Sequence, residues 1–165
     1  MRGQSHRPGQ ELWPEMKIMI DPRQFPFTGW VGRYGAFQSG RNIKGFLRDF
    51  PCQVWCLRYK SRPVIGWFVR SPDWRVAFYG PSAVIFVRKD VQGLEGKTQA
   101  GEGIGRIKNL RQAQSVLQFA ATIRDWDRAR TVLAGMKERF RCPDQKSKVK
   151  AASDWLEQRM LVDGE

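Results

Sequence analysis

The arrangement best suited to chemistry in this 165-residue chain is Asp21-Pro22-Arg23, which follows the apolar run MKIMI at 16–20. A carboxylate at the C-terminal end of a strand lies where open α/β sheets receive ligands. An arginine two positions on would hold that carboxylate ionised, or bind an anion such as a phosphate or a sugar carboxylate. The same residues also read as a corner. Proline pushes Asp21 to an extended backbone, and Arg23 can donate to loop carbonyls and to Asp21. The corner is the favoured reading, with ligand binding as its rival.

Aromatic residues follow at once. Phe25, Phe27, Trp30, Tyr34 and Phe37 are interleaved with Arg23, Arg33 and Arg41. Aromatics beside cations are what single-stranded nucleic acid stacks on, and they are equally what folds into a core over a sheet. The core reading is preferred, and the candidate ligand set is Asp21, Arg23, Arg33 and Trp30. A catalytic pair would need a second acid or base in reach. Asp49, Asp73 and Asp90 are scattered without a pattern, so no catalytic residue is assigned.

Other chemistries find little to build on. His6, the only histidine, sits in a polar N-terminal stretch, which leaves neither a histidine metal site nor a Ser-His-Asp triad. Cys52 and Cys56 have a C-x3-C spacing that suits neither a redox pair nor a zinc site. On a strand they would share a face about 13 Å apart, too far for a disulfide. Buried free thiols are expected, with no metal and no cofactor. The G-x-G-x-G at 101–105 lacks the Lys-Ser/Thr of a phosphate loop, and no strand is expected directly before it.

Composition allows a packed core, with 41% hydrophobic residues, seven Trp and ten Phe. The net charge of +13 favours polyanionic partners: nucleic acid, anionic lipid or an acidic protein. No stretch has the roughly 18 apolar residues of a membrane span, and MRGQSHRPGQ lacks the apolar centre of a signal peptide. A stand-alone product would be a soluble cytoplasmic protein.

Periodicity places these residues on elements. Residues 1–10 read as a flexible tail and 11–91 as a small α/β domain, a mixed sheet with flanking helices. In that domain MKIMI is a strand, 24–35 an irregular loop and 37–50 a single helical face. CQVWCLRY (52–59) is a strand, and Ser61 caps the helix RPVIGWFVR, with Pro63 in its first turn. DWRVAFYG and SAVIFVRK form a hairpin around Gly80-Pro81. Residues 92–108, with five glycines between 92 and 105, read as a linker. Residues 109–161 read as an all-α three-helix tail, with a break at RDWD and a second at RCPDQKS.

Two family resemblances arise from these motifs. Pro14, Lys17, Asp21 and Arg23, then Trp74, Tyr79, Phe86 and Arg88, resemble the soluble C-terminal region of bacterial glycosyltransferase-C-like polytopic membrane proteins. The likeness covers residues 11–90 and implies a Trp-led strand, a final strand ending in Phe-Val-Arg, and the periplasmic face of the inner membrane. The family's transmembrane helices and catalytic acids lie upstream of the matched region, so no transferase activity is implied. IRDWDRARTVL is similar to the inter-helix turn of a tetratricopeptide repeat at Asp125, Trp126 and Ala129, with Arg124 where glycine is usual. The expected function is a non-enzymatic accessory or interaction module whose helical tail engages a protein or peptide. The alternative is a basic cytoplasmic nucleic-acid-binding protein.

Overall fold

The computed structural model describes residues 28–91, 99–100 and 106–163, with the side chains of 28–30 and 99–100 excepted. The run MKIMI, Asp21, Arg23 and the 1–10 tail lie outside the described residues. The chain divides into two compact units, Met1–Cys52 and Gln53–Glu165.

In the first unit, α1 (Thr28–Gln38) occupies much of the segment expected as an irregular loop. A helix is tolerated there because Gly32 and Gly35 face open space and Tyr34 and Phe37 lie three residues apart on one side. The single helix expected over 37–50 is two. Gly40 at φ 82° and Asn42 at φ 50° take left-handed conformations that no helix continues through. After them, α2 runs Ile43–Asp49. Phe37 stacks on Phe46 with ring centroids 4.4 Å apart, and both are buried. Gly45 is the close-approach residue of this turn, since a Cβ there would meet Asn42 Oδ1 at 2.3 Å.

The second unit is built on a four-stranded sheet. Its strands are β1 (Val54–Arg58), β2 (Trp74–Tyr79), β3 (Ala83–Arg88) and the two-residue β4 (Gln99–Ala100), in the order β1-β3-β2-β4. The first three are antiparallel, and β4 runs parallel to β2. The Gly80-Pro81 hairpin forms as expected, and Gly80 N–H donates to the Ala83 carbonyl at 3.0 Å. Three of the four described motif positions fall on strand ends, since β2 opens on Trp74 and closes on Tyr79 and β3 closes on Arg88, while Phe86 lies within β3.

Alternation along β1 buries Trp55 and Leu57, opposite Phe86 and Val84 of β3. The same alternation turns Cys56 outward, where it is exposed. Cys52 is half-buried before the strand, and Cys142 is exposed. The thiols are free, but the expectation that they are buried fails because the pleat assigns Cys56 the outer face.

Helix α3 (Arg62–Arg70) covers the inner face of the sheet. Its Phe68 lies 5.0 Å from Phe86 and edge-on to Trp74 at 4.8 Å. Ser61 occupies its N-cap position without making a side-chain cap bond, while Pro63 sits in the first turn as expected.

Strand β4 and the buried Ile107 both fall within the segment expected as a linker. A two-residue strand carries no periodicity, which is why sequence reading passes over it. It also means that a strand does precede the glycine triplet at 101–105.

Three helices follow: α4 (Leu110–Thr122), α5 (Trp126–Arg139) and α6 (Pro143–Asp163). Asn109 caps α4 by accepting from Gln112 N–H at 3.0 Å. Asp125 caps α5 by accepting from Arg128 N–H at 3.2 Å. The apolar stripes of α4 and α5 are buried as periodicity requires, including Leu117, Ala120, Ala129, Val132 and Met136, while α6 buries Val149 and Leu156 and leaves Ala152 and Met160 half-buried. Phe119 of α4 reaches three rings of the sheet region, Tyr59, Tyr79 and Phe86, at 6.0, 5.2 and 6.5 Å. The expected division after Val91 therefore falls inside the second unit. The fold class is mixed α/β with C-terminal helices.

Between α4 and α5, Arg124 adopts φ 59°. Its ion pair with Asp163, at 3.6 Å and largely exposed on the arginine side, contributes little. Replacing Arg124 with glycine should therefore raise the urea midpoint, relieving a backbone cost of about 1 kcal/mol. Arg124→Val, whose branched side chain is least compatible with that region, should lower it. Urea unfolding of the two variants decides the point, and equal midpoints would rule out strain at this turn.

Candidate binding site

Of the candidate ligand residues, Asp21 and Arg23 lie outside the described residues. Trp30 is placed only as backbone in α1. Arg33 is described, and it is engaged. Its guanidinium pairs with Asp49 at the end of α2 and lies 5.5 Å from the centre of the Phe50 ring. The structure thus joins one candidate cation to one of the scattered acids, and the pair ties α1 to α2. Tyr34 and Phe37, considered as stacking platforms, instead pack on Phe46. Asp90 is held by Arg88 of β3, with Arg88 Nε donating to Oδ1 at 3.0 Å. Asp73 is exposed, and its carbonyl accepts from Lys89 N–H at 2.9 Å. Trp55 and Trp74 are buried as core residues, and Trp67 is half-buried. Among the described residues, no group of three or more His, Cys, Asp or Glu side chains is placed to hold a metal ion.

Two sites in the second unit went unassigned by sequence. The first is the meeting of Tyr79, at the end of β2, with Asp125, at the start of α5. The Tyr79 hydroxyl donates to Asp125 Oδ2, while Asp125 Oδ1 accepts the capping bond from Arg128 N–H. One carboxyl group serves both helix and sheet. Burial pushes the Tyr79 phenol far above its ordinary range. The hydrogen bond to Asp125 and that residue's charge push it the same way, and Arg128 opposes. Tyr59 donates to the Gly80 carbonyl at 2.8 Å, and its phenol is also pushed up by burial. These phenols are held in the neutral, donating form, which suits a structural bond and not a nucleophile.

The second site is a groove between α5 and α6, about 280 Å³ in volume. Phe140, at the C-cap of α5, and the buried Val149 supply its apolar lining. Lys137 from the last turn of α5 and Lys146 and Lys150 from α6 stand around it. The two α6 lysines are four residues apart and therefore share a face. Ser153 and Asp154 complete the lining. A signal for this site is present in the sequence, where residues 137–150 hold six Lys or Arg against two acids. Nothing in that run shows that α5 and α6 fold back to make one surface of it.

No helix among the described residues is long and apolar enough to cross a membrane. In comparisons with known proteins, no family model, no curated protein and no solved structure matches the chain.

The shared carboxyl predicts unequal losses. Tyr79→Phe should cost about 1–2 kcal/mol. Asp125→Ala removes both the cap and the Tyr79 partner, and should cost roughly 2–4 kcal/mol. The phenols add a pH dependence of definite sign. Because folding raises their pKa values, their stabilisation is complete below the ordinary phenol value of about 10 and is lost as pH rises beyond it. Denaturation midpoints followed upward from about pH 9 should fall more steeply for the wild type than for a Tyr59→Phe, Tyr79→Phe double variant. Parallel curves would contradict this account.

Proposed function

We infer that the chain is a non-enzymatic interaction module whose C-terminal helices receive a protein or peptide partner. The observation that carries this reading is the α5–α6 groove, where Phe140 and Val149 lie within a ring of three lysines. Helix-in-groove and segment-in-groove recognition both require such an apolar strip with charged margins. The described sheet would serve as the platform that holds the helices, through Phe119 and the Tyr79–Asp125 bond. Arg33 is occupied within its own unit, which supports the scaffolding role favoured for the arginines of the front half.

The likeness of residues 11–90 to the extracytoplasmic tails of glycosyltransferase-C-like membrane proteins belongs to the same proposal. On that reading the module works at the periplasmic face of an inner membrane, attached to a membrane region that carries its own chemistry. The motif residues Trp74 and Phe86 would then be interior supports for the sheet, in keeping with their burial.

The net charge of +13 favours a second reading, a nucleic-acid-binding protein. Salt separates the two. A protein neutralising six to ten phosphates loses roughly a thousandfold or more in affinity between about 50 and 200 mM salt. Fluorescence anisotropy with a single-stranded oligonucleotide should show weak binding that changes by less than about tenfold over that range. A steep, thousandfold fall would replace the interaction module with the nucleic-acid binder.

A further inference from the structure

We propose that the α5–α6 groove takes an acidic peptide segment carrying an apolar anchor, with carboxylates on Lys137, Lys146 and Lys150 and the anchor against Phe140 and Val149. This rests on the interaction-module reading and names the chemistry of its partner.

Three observations carry it. The first is charge complementarity. None of the three lysines forms an ion pair with a described residue, while the arginines nearby do have partners: Arg130 pairs with Asp127, and Arg141 Nε donates to the Glu138 carbonyl at 2.8 Å. The second is placement. Lys137, in the last turn of α5, and Lys146 and Lys150, on α6, come from the two helices that wall the groove and stand around one apolar lining. Three cations gathered round one apolar strip raise the local positive potential, which an acidic segment relieves.

The third observation chooses between polyanions. Asp154 stands in the groove wall beside the lysines. A phosphate backbone, with uniform charge along its length, would bring a phosphate against that carboxylate. A peptide alternates charge with apolar side chains and backbone N–H groups, and an N–H can donate to Asp154. The apolar lining likewise has no use for a phosphate, but it accepts a leucine or a phenylalanine. The volume of about 280 Å³ is at the low end for ligand sites and suits a few side chains of an extended or helical segment.

The test uses the full chain and a fluorescein-labelled dodecapeptide of repeating Glu-Glu-Leu-Leu, at about 150 mM salt. A Glu-Glu-Ser-Ser peptide and a dodecathymidylate are the comparison probes. Two triple variants carry the same change in charge: K137Q/K146Q/K150Q in the groove, and K60Q/K89Q/K108Q at exposed lysines elsewhere. The Leu-containing peptide should bind the wild type. The groove variant should weaken binding at least about tenfold, equivalent to about 1.4 kcal/mol, with an unchanged melting temperature. The other variant should change it less than about threefold, and the Ser-containing peptide should bind at least about tenfold more weakly. Equal losses in the two variants, or no peptide binding, would overturn the acidic-peptide assignment and leave the interaction module to a partner of other chemistry. Dodecathymidylate binding as tightly as the peptide, with the steep salt dependence described above, would overturn both.

Discussion

The bond from Tyr79 to Asp125 is the constraint on which the second unit depends. Asp125 has two oxygens and two tasks. One accepts the Arg128 N–H that opens α5, and the other accepts the phenol at the end of β2. A helix start is thereby fixed to a strand end. A buried phenol without that acceptor would leave a polar group unsatisfied, and a helix without that cap would leave a backbone N–H exposed. Phe119, six residues earlier in the chain, fills the space beside this bond against Tyr59, Tyr79 and Phe86. Polar and aromatic contacts therefore act at one place, and sheet and helices share a core there.

That junction has a consequence for the groove. Once α5 is fixed at its first residue, its burial of Ala129, Val132 and Met136 sets the direction of the helix. Its last turn, bearing Lys137 and followed by Phe140, then faces the first turns of α6. The break at Arg141–Cys142 leaves α6 free to begin at Pro143, where proline's missing N–H costs nothing. Lys146, Val149 and Lys150 come round to the side of α5. The basic run that straddles the break is thus converted from a stretch of chain into two walls of one surface.

The long elements were legible because their signals are long. Alternation in β1, the Gly80-Pro81 hairpin, and the apolar stripes of α4, α5 and α6 each involve several residues repeating at one period. Shorter or conflicting signals failed. Residues 24–35, of which α1 takes 28–35, looked like a loop because Pro26 and the glycines outvoted the spacing of Tyr34 and Phe37. The 37–50 helix looked continuous because Ile43, Phe46, Leu47 and Phe50 keep helical spacing and no proline marks the Gly40–Asn42 break. Strand β4 has two residues and no pattern at all. Cys56 was expected inside because its neighbours are apolar, and the pleat alone sends it out.

By itself, the sequence determined the burial alternation of the long elements and the turn at Gly80-Pro81. Burial cost and backbone sterics act locally, and they are written in residue type and spacing. It determined equally that charge would be in excess, with 29 Lys and Arg against 16 Asp and Glu. Only the tertiary structure decided which residues meet. Arg33 with Asp49, Tyr79 with Asp125, and Lys137 with Lys146 and Lys150 are pairings across breaks in the chain. Their energies depend on distance and desolvation, and those quantities exist only once the elements have packed.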